Sequence, residues 1–144
     1  MLRRRVLFSS MVPFLAARTF GWSERRLTKY EGRGNRAVLG AYKNQLSNVI
    51  VTDVSGVVTA LLPDDMEGSR HQRFIVDIGA GHTLLVVHNI DLAPRLDGLR
   101  EGDRVSVKGE YEWNDRGGLI HWTHRDPRSS HEDGWIDFGR DRYE

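Results

Sequence analysis

NVIVTDVSGVVTALL, from Asn48 to Leu62, is the stretch that decides the fold. It is rich in β-branched residues, which suit a pleated strand. Gly56 stands in its middle, and a glycine inside a strand often marks a bulge or a sharp bend. The length and the glycine together predict a long, bent first strand that serves two faces of a sheet.

Four further strand patterns follow the first one. The second alternates Phe74, Val76 and Ile78 with the set Arg73, Ile75 and Asp77, and the third is apolar on both faces. The fourth places Val105, Val107 and Tyr111 on one face, together with Trp113. The predicted spans are 71–78, 82–90, 103–113 and 119–126.

The connections between these strands predict the topology. Hairpins join strands one to two, two to three and four to five, and a longer connector containing Pro94 and Gly98 joins three to four. This plan predicts a mainly all-β fold, a five-stranded OB-like barrel in which the usual helix after strand three is reduced to one turn at most. An SH3-like or other small barrel is the alternative.

Extensions are predicted on both sides of the barrel. Asn35 is a suitable N-cap residue, and the apolar positions after it recur at helical spacing, which predicts a short helix covering one end of the sheet. The tail from Gly134 predicts either a small hairpin or a cap on the barrel. The helical positions are Val38, Leu39, Tyr42 and Leu46, and the apolar tail residues are Trp135, Ile136, Phe138 and Tyr143.

The first 34 residues differ in character from the predicted domain at 35–144. Three arginines precede the apolar run VLFSSMVPFLAA, which is the layout of a secretory signal. The paired arginines also allow a twin-arginine signal. We therefore expect a leader and linker at 1–34 and a periplasmic or secreted protein, with a cytoplasmic protein as the alternative.

Composition and charge exclude several classes of function. There are no cysteines, so disulfides and thiolate metal sites are excluded. No apolar run reaches the ~18 residues of a membrane span. Residues 1–36 carry nine basic and two acidic residues, whereas 37–144 carry 12 basic and 18 acidic residues and a net charge of −6. This acidic body disfavours nucleic acid as a partner, since phosphate contacts need Lys and Arg.

Several motifs resemble a known family of small bacterial proteins. They are the run from Ser69 to Ile75, the run from His88 to Arg95, GEYEWN from Gly109, GGLIHWTHRDP from Gly117, and His131 with Gly134-Trp135-Ile136. The family is defined only as a domain of unknown function. The resemblance covers about residues 49–144 and implies an OB-like barrel, often behind an export signal, without implying an activity.

Histidines suggest a metal site near the fifth strand. His121, His124 and His131 can supply nitrogen ligands to zinc or another divalent metal. On a regular strand His121 and His124 point to opposite faces, so a shared site requires a bulge or an early end of the strand. The alternative is that these histidines form hydrogen bonds that anchor loops.

A second prediction concerns a ligand surface. On OB barrels the face of strands two and three, framed by the one–two and four–five loops, commonly binds ligands. An exposed tryptophan there can stack on a sugar ring or a base. The candidate ligand-binding residues are Arg70, His71, His88, Asn89, Arg116, His121, Trp122, His124 and Asp126.

A structural or stress-related envelope protein with no small ligand is one function that the sequence leaves open, and two others come from different classes. One is a binding module for a saccharide, an envelope component or a protein partner. The other is a metal-dependent hydrolase or nuclease that uses His121, His124 and His131. Glu110 and Glu112 share one face of the fourth strand and are a candidate acid–base pair, although charged residues commonly line the wet face of a strand. No P-loop, nucleophile elbow or dinucleotide fingerprint occurs.

Overall fold

The computed structural model describes residues 32–144, which form one helix followed by seven strands. Within these residues, no helix is both long and apolar enough to cross a membrane. The predicted leader lies outside the described residues. The elements are α1 (Arg33–Lys43), β1 (Val49–Asp65), β2 (His71–Asp77), β3 (Thr83–Asn89), β4 (Arg104–Glu112), β5 (Leu119–His121), β6 (Trp135–Phe138) and β7 (Asp141–Tyr143).

Five strands close into a ring. The order is β1-β2-β3-β5-β4, and β4 pairs again with β1. The β3–β5 pair is parallel and the other pairs are antiparallel. Beyond the ring, β6 pairs with β4, and β7 forms a hairpin with β6. The predicted mainly β fold, its OB-like strand plan and its C-terminal hairpin are confirmed.

The first strand is bent because it has two partners. Its first half, up to Val57, pairs with β4, and its second half, from Val57, pairs with β2. Gly56 lies at this crossing, where a Cβ atom would come within 2.4 Å of the Asp77 carbonyl oxygen. The glycine therefore permits the close approach of β2 that the bend requires.

Alternate residues of the ring strands fill its interior. Phe74, Val86 and Tyr111 are fully buried, and the Tyr111 hydroxyl donates a hydrogen bond to the Gly117 carbonyl oxygen at 3.0 Å. Burial raises the pKa of Tyr111 to about 12. Trp113 is partly buried and packs against the same core.

Helix α1 packs against β1, but it does not begin as predicted. Its N-cap is Gly32, so Asn35 lies inside the first turn. There the buried Asn35 amide donates to the carbonyl oxygens of Ser55 and Ile78 and accepts from the Ser55 N–H. The predicted cap residue therefore attaches the helix to the ring. Leu46 lies beyond the helix end and is 51% exposed.

The fifth strand is shorter than predicted. It ends at His121 instead of Asp126, because Trp122 has a φ of 55°, in the left-handed region. β5 pairs with residues 110–112 of β4 and β6 pairs with residues 105–108, so both lie along one edge of β4. Residues 122–134, called the 122–134 loop below, leave the sheet between them. A hydrogen bond from the Gly134 N–H to the His124 carbonyl oxygen closes its base.

Candidate ligand cleft

A cleft of about 480 Å³ lies between the 122–134 loop and the outer face of β2, β3 and β5. On those strands the lining residues alternate with core residues, as expected for the outer face of a ring. The segments before β2 and after β3 form the remaining wall. The lining residues are Ser69, His71, Val87, Asn89, Asp91, Leu92, His121, Trp122, His124, Asp126, Pro127, Arg128, Ser130 and His131.

Most of the predicted site residues meet in this cleft. They come from strand ends that are far apart in sequence, and the register pairs His71 directly with Asn89. Arg70 lies next to the cleft and forms an ion pair with Asp91, with Nε to Oδ1 at 2.6 Å. The predicted residues that line the cleft are His71, Asn89, His121, Trp122, His124, Asp126 and His131.

Two predicted residues lie elsewhere. Arg116 belongs to the β4–β5 loop, which contacts the start of β3 through the hydrogen bond between His82 Nε2 and the Gly117 carbonyl oxygen. The cleft adjoins the other end of β3, at Asn89, so this loop and Arg116 do not frame it. His88 is fully buried in the interior, with both ring nitrogens hydrogen-bonded.

His88 anchors the 122–134 loop to the ring. Its Nε2 lies 3.0 Å from the Pro94 carbonyl oxygen, which can only accept a hydrogen bond, so Nε2 carries the proton. Nδ1 then accepts from the Thr123 hydroxyl at 2.8 Å. Burial lowers the pKa of His88 to about 4, so the imidazole is neutral at pH 7.

Trp122 stands at the turn that begins the loop. A large side chain with positive φ is unusual and persists only where the surrounding structure enforces it. The flanking contacts supply that constraint, because Thr123 and His124 are buried next to it. The Trp122 ring is 36% exposed and meets the His131 ring edge-on, with ring centroids 3.8 Å apart. The turn thus presents an indole at the cleft wall.

Two loop histidines have defined tautomers. Nδ1 of His124 donates to the Arg125 carbonyl oxygen and Nδ1 of His131 donates to that of Glu132, each at 2.7 Å. Their Nε2 atoms are therefore left as acceptors in the neutral form. The two rings lie nearly perpendicular with centroids 5.1 Å apart. The predicted strand alternation does not separate His121 from His124, because β5 ends at His121 and both residues line the cleft.

Asp126 organises the far side of the loop. Its carboxylate accepts hydrogen bonds from the N–H groups of Arg128, Ser130 and His131 and from the Ser130 hydroxyl. The Ser130 hydrogen bond and these N–H groups hold the pKa of Asp126 well below its usual range. A carboxylate with so many internal donors shapes the loop and positions His131. These hydrogen bonds explain the role of Asp126 without any bound ligand.

The metal-ligand geometry differs from the predicted set. Within residues 32–144, the trio whose ligand atoms all lie within 4.8 Å of one another is Glu110, Glu112 and His121. His124 and His131 share the cleft with His121 but do not belong to this trio. His121 is thus common to the predicted histidine set and to the observed group.

Several cleft residues were not predicted as site residues from the sequence. Ser69, Asp91, Leu92, Arg128 and Ser130 reach the cleft through loops before β2, after β3 and after β5. For Asp126 to Ser130 a signal existed, since an Asp-Pro pair followed by serines is typical of a hydrogen-bonded turn. Finding Ser69 and Asp91 required the pairing of β2 with β3, which places their ends together.

The fold and the cleft define the chain as a small protein built on a closed OB-like ring with a cleft on its β2–β3–β5 face. The chain belongs to the family described as "Protein of unknown function (DUF3465)", whose model matches residues 28–144. A search of curated proteins found no match to the chain.

Proposed function

We propose that the protein is a binding module that holds a saccharide in the cleft described above. The observation that carries the proposal is Trp122, an aromatic ring fixed by a left-handed turn and left 36% exposed at the cleft wall. A planar apolar ring among hydrogen-bonding groups suits a sugar, which offers both a C–H face and hydroxyl groups.

The rest of the cleft supports the same ligand class. Its volume of about 480 Å³ lies in the ordinary range of small-molecule sites, roughly 300–1,000 Å³. Asn89, His71 and Ser69 line one wall and offer hydrogen-bond donors and acceptors. The cleft carries charges of both signs, because Asp91 is paired with Arg70, Asp126 accepts hydrogen bonds from loop N–H groups, and Arg128 also lines it. A neutral polar ligand fits this balance better than a phosphate backbone.

The N-terminal layout, outside the described residues, bears on which saccharide is relevant. It predicts export, so the ligand would be a saccharide or another sugar-bearing component of the cell envelope. The net charge of −6 on residues 37–144 further disfavours nucleic acid. Binding experiments also distinguish a protein partner from a saccharide ligand.

Isothermal titration with a panel of neutral and acidic envelope saccharides tests the proposal. At least one should bind, and Trp122→Ala should weaken it about tenfold, the order expected for loss of ~1–3 kcal/mol of stacking. Trp135→Ala is the matched control, because Trp135 packs under the Arg142 guanidinium, away from the cleft lining. Equal loss in both variants, or no binding by any saccharide, would refute the proposal.

A further inference from the structure

Two glutamates and a histidine meet on the outer face of the ring beside the cleft. Glu110 and Glu112 project from β4, and the sheet register pairs Glu110 directly with His121 of β5. One ligand atom from each of the three lies within 4.8 Å of the others, and all three side chains are partly buried. Carboxylate oxygens and an imidazole nitrogen are common ligands of zinc and related ions.

Asn48, which immediately precedes β1, completes the surroundings of this group. Its Nδ2 donates to Oε1 of Glu110 at 2.9 Å and to Oε1 of Glu112 at 3.0 Å. One amide NH2 group thus bridges the two carboxylates. Within residues 32–144, no lysine or arginine forms an ion pair with either glutamate.

His121 supplies a second, independent observation. Its Nε2 exposes less than 1 Å² and has no hydrogen-bond partner among the described residues. The same atom lies 3.5 Å from Oε1 of Glu112, outside normal hydrogen-bond geometry. A buried polar atom without a partner is unfavourable by ~1–3 kcal/mol, so such atoms call for an explanation. An ion between the nitrogen and the carboxylates would satisfy it.

We propose that Glu110, Glu112 and His121 form a binding site for a divalent transition-metal ion such as Zn²⁺. The two carboxylates offset the charge of the ion, and His121 Nε2 supplies its nitrogen ligand. Turning the Asn48 amide over would present Oδ1 as a further oxygen ligand. Three protein ligands leave coordination positions open, as in exchangeable or catalytic sites and unlike closed structural ones.

The site differs from a histidine cluster in the cleft, and it does not depend on the proposed saccharide. His121 lines the cleft and contacts Trp122, with ring centroids 5.4 Å apart, so an ion bound here would lie next to the proposed sugar site. The presence of nitrogen in the ligand set favours Zn²⁺ or Co²⁺ over Mg²⁺ and Ca²⁺, which prefer oxygen.

The test is a titration of the tag-free full chain, stripped with EDTA, with Zn²⁺ alone and no saccharide. Calorimetry should show one Zn²⁺ site. Bound Co²⁺ should give visible absorption bands, and these should disappear when Zn²⁺ displaces the Co²⁺. Glu112→Gln should weaken the affinity for Zn²⁺ at least about tenfold, and Glu110→Gln, the second variant, should do the same. Substitution of residues that only hydrogen-bond to metal ligands already lowers metal affinity by about that factor. Circular dichroism verifies that both variants are folded.

Matched controls separate this site from the alternatives. His124→Gln and His131→Gln should retain wild-type Zn²⁺ affinity, as should the exposed Glu101→Gln. Loss of binding in the His124 or His131 variant would place the ion in the cleft and overturn the proposal. Absence of binding by the wild type, or equal affinity for Mg²⁺, would also overturn it. Because the titration contains no sugar, its failure leaves the saccharide proposal untouched.

Discussion

Thr123 is the residue through which the 122–134 loop is joined to the interior. Its hydroxyl donates to Nδ1 of His88, and both residues are fully buried. The backbone at Trp122 turns the chain inward so that this hydrogen bond can form. A single buried hydroxyl thus connects the cleft wall to the core of the ring.

Replacing Thr123 by Val should destabilise the protein by about 1–3 kcal/mol, because the buried His88 acceptor loses its donor while the side-chain shape is kept. Urea denaturation measures the loss. Thr59→Val is the matched control, since Thr59 is exposed on β1 and should change stability by no more than ~0.5 kcal/mol. Equal effects of the two substitutions would show that the Thr123–His88 hydrogen bond contributes nothing.

His88 should also make stability depend on pH. Its folded pKa of about 4 lies below the ordinary 6.5, so between these values the unfolded chain binds a proton that the folded chain does not. Stability should therefore fall as pH falls from 6.5 to 4, by about 3 kcal/mol from this residue. The measurement is urea denaturation across this range. His88→Gln should lower the slope, and an unchanged slope would contradict the assignment.

At the scale of elements, the 122–134 loop depends on one close approach. Gly134 lies where a Cβ atom would come within 2.1 Å of the Trp122 carbonyl oxygen and 2.6 Å of that of Lys108. At Gly134 the base of the loop therefore packs against β4 just before β6 begins. This position has no room for a side chain. The position of Trp122 in the cleft follows from this contact.

Gly134→Ala should cost about 1–3 kcal/mol of stability and weaken any ligand that contacts Trp122, because the loop base must open. Gly40→Ala in α1 is the control. A Cβ atom at Gly40 meets nothing within 4 Å, so alanine should stabilise the helix by about 0.5–1 kcal/mol. Thermal unfolding measures both changes, and a harmless Gly134→Ala would mean that the loop base is not tightly packed.

Alternation and turn residues made the ring predictable, whereas the course of the loop was not. Val105, Val107 and Tyr111 alternate clearly, and Gly56 marks the bend of β1 where the pattern placed it. Nothing in the sequence indicates that Trp122 adopts a left-handed φ, so the fifth strand was extended to Asp126. The residues that pack around this turn are distant in the chain, because Gly134 lies against the Trp122 carbonyl oxygen and His88 hydrogen-bonds Thr123.

The sequence predicts which residues belong to the site better than it predicts which of them lie together. The outer face of β2 and β3 was the expected ligand surface, and His71, Asn89 and Trp122 do line the cleft. The β4–β5 loop with Arg116 lies at the other end of β3, which only the β3–β5 register reveals. The sequence does not reveal that His121 lies beside Glu110 either, because this pairing depends on the register between β4 and β5.

Over the whole molecule, one end of the ring is closed and the cleft lies near the other. Helix α1 covers the end near the β2–β3 turn, where Tyr42 packs edge-on against His82 with ring centroids 4.7 Å apart. The buried Asn35 amide joins the helix to β1 and to the end of β2. The cleft adjoins His71 and Asn89, at the opposite ends of β2 and β3.

This arrangement makes the helix part of the folding unit. Asn35→Ala removes one buried and two partly buried hydrogen bonds and should destabilise the whole domain by about 2–4 kcal/mol while keeping one cooperative transition. Chemical denaturation followed by circular dichroism and by tryptophan fluorescence checks this. Asn44→Ala, which removes only an exposed hydrogen bond to Gly40, should have a small effect. Two separate transitions would show that the helix unfolds independently.

The central claim is that the cleft beside Trp122 is the ligand site. The most direct measurement is an NMR titration of the tryptophan indole N–H signals with the best saccharide from the calorimetric panel. We predict that the Trp122 signal shifts with the same saturation curve as the calorimetry. The Trp113 and Trp135 signals, whose side chains do not line the cleft, should stay in place. A ligand that shifts Trp113 or Trp135 and leaves Trp122 unchanged would contradict the account.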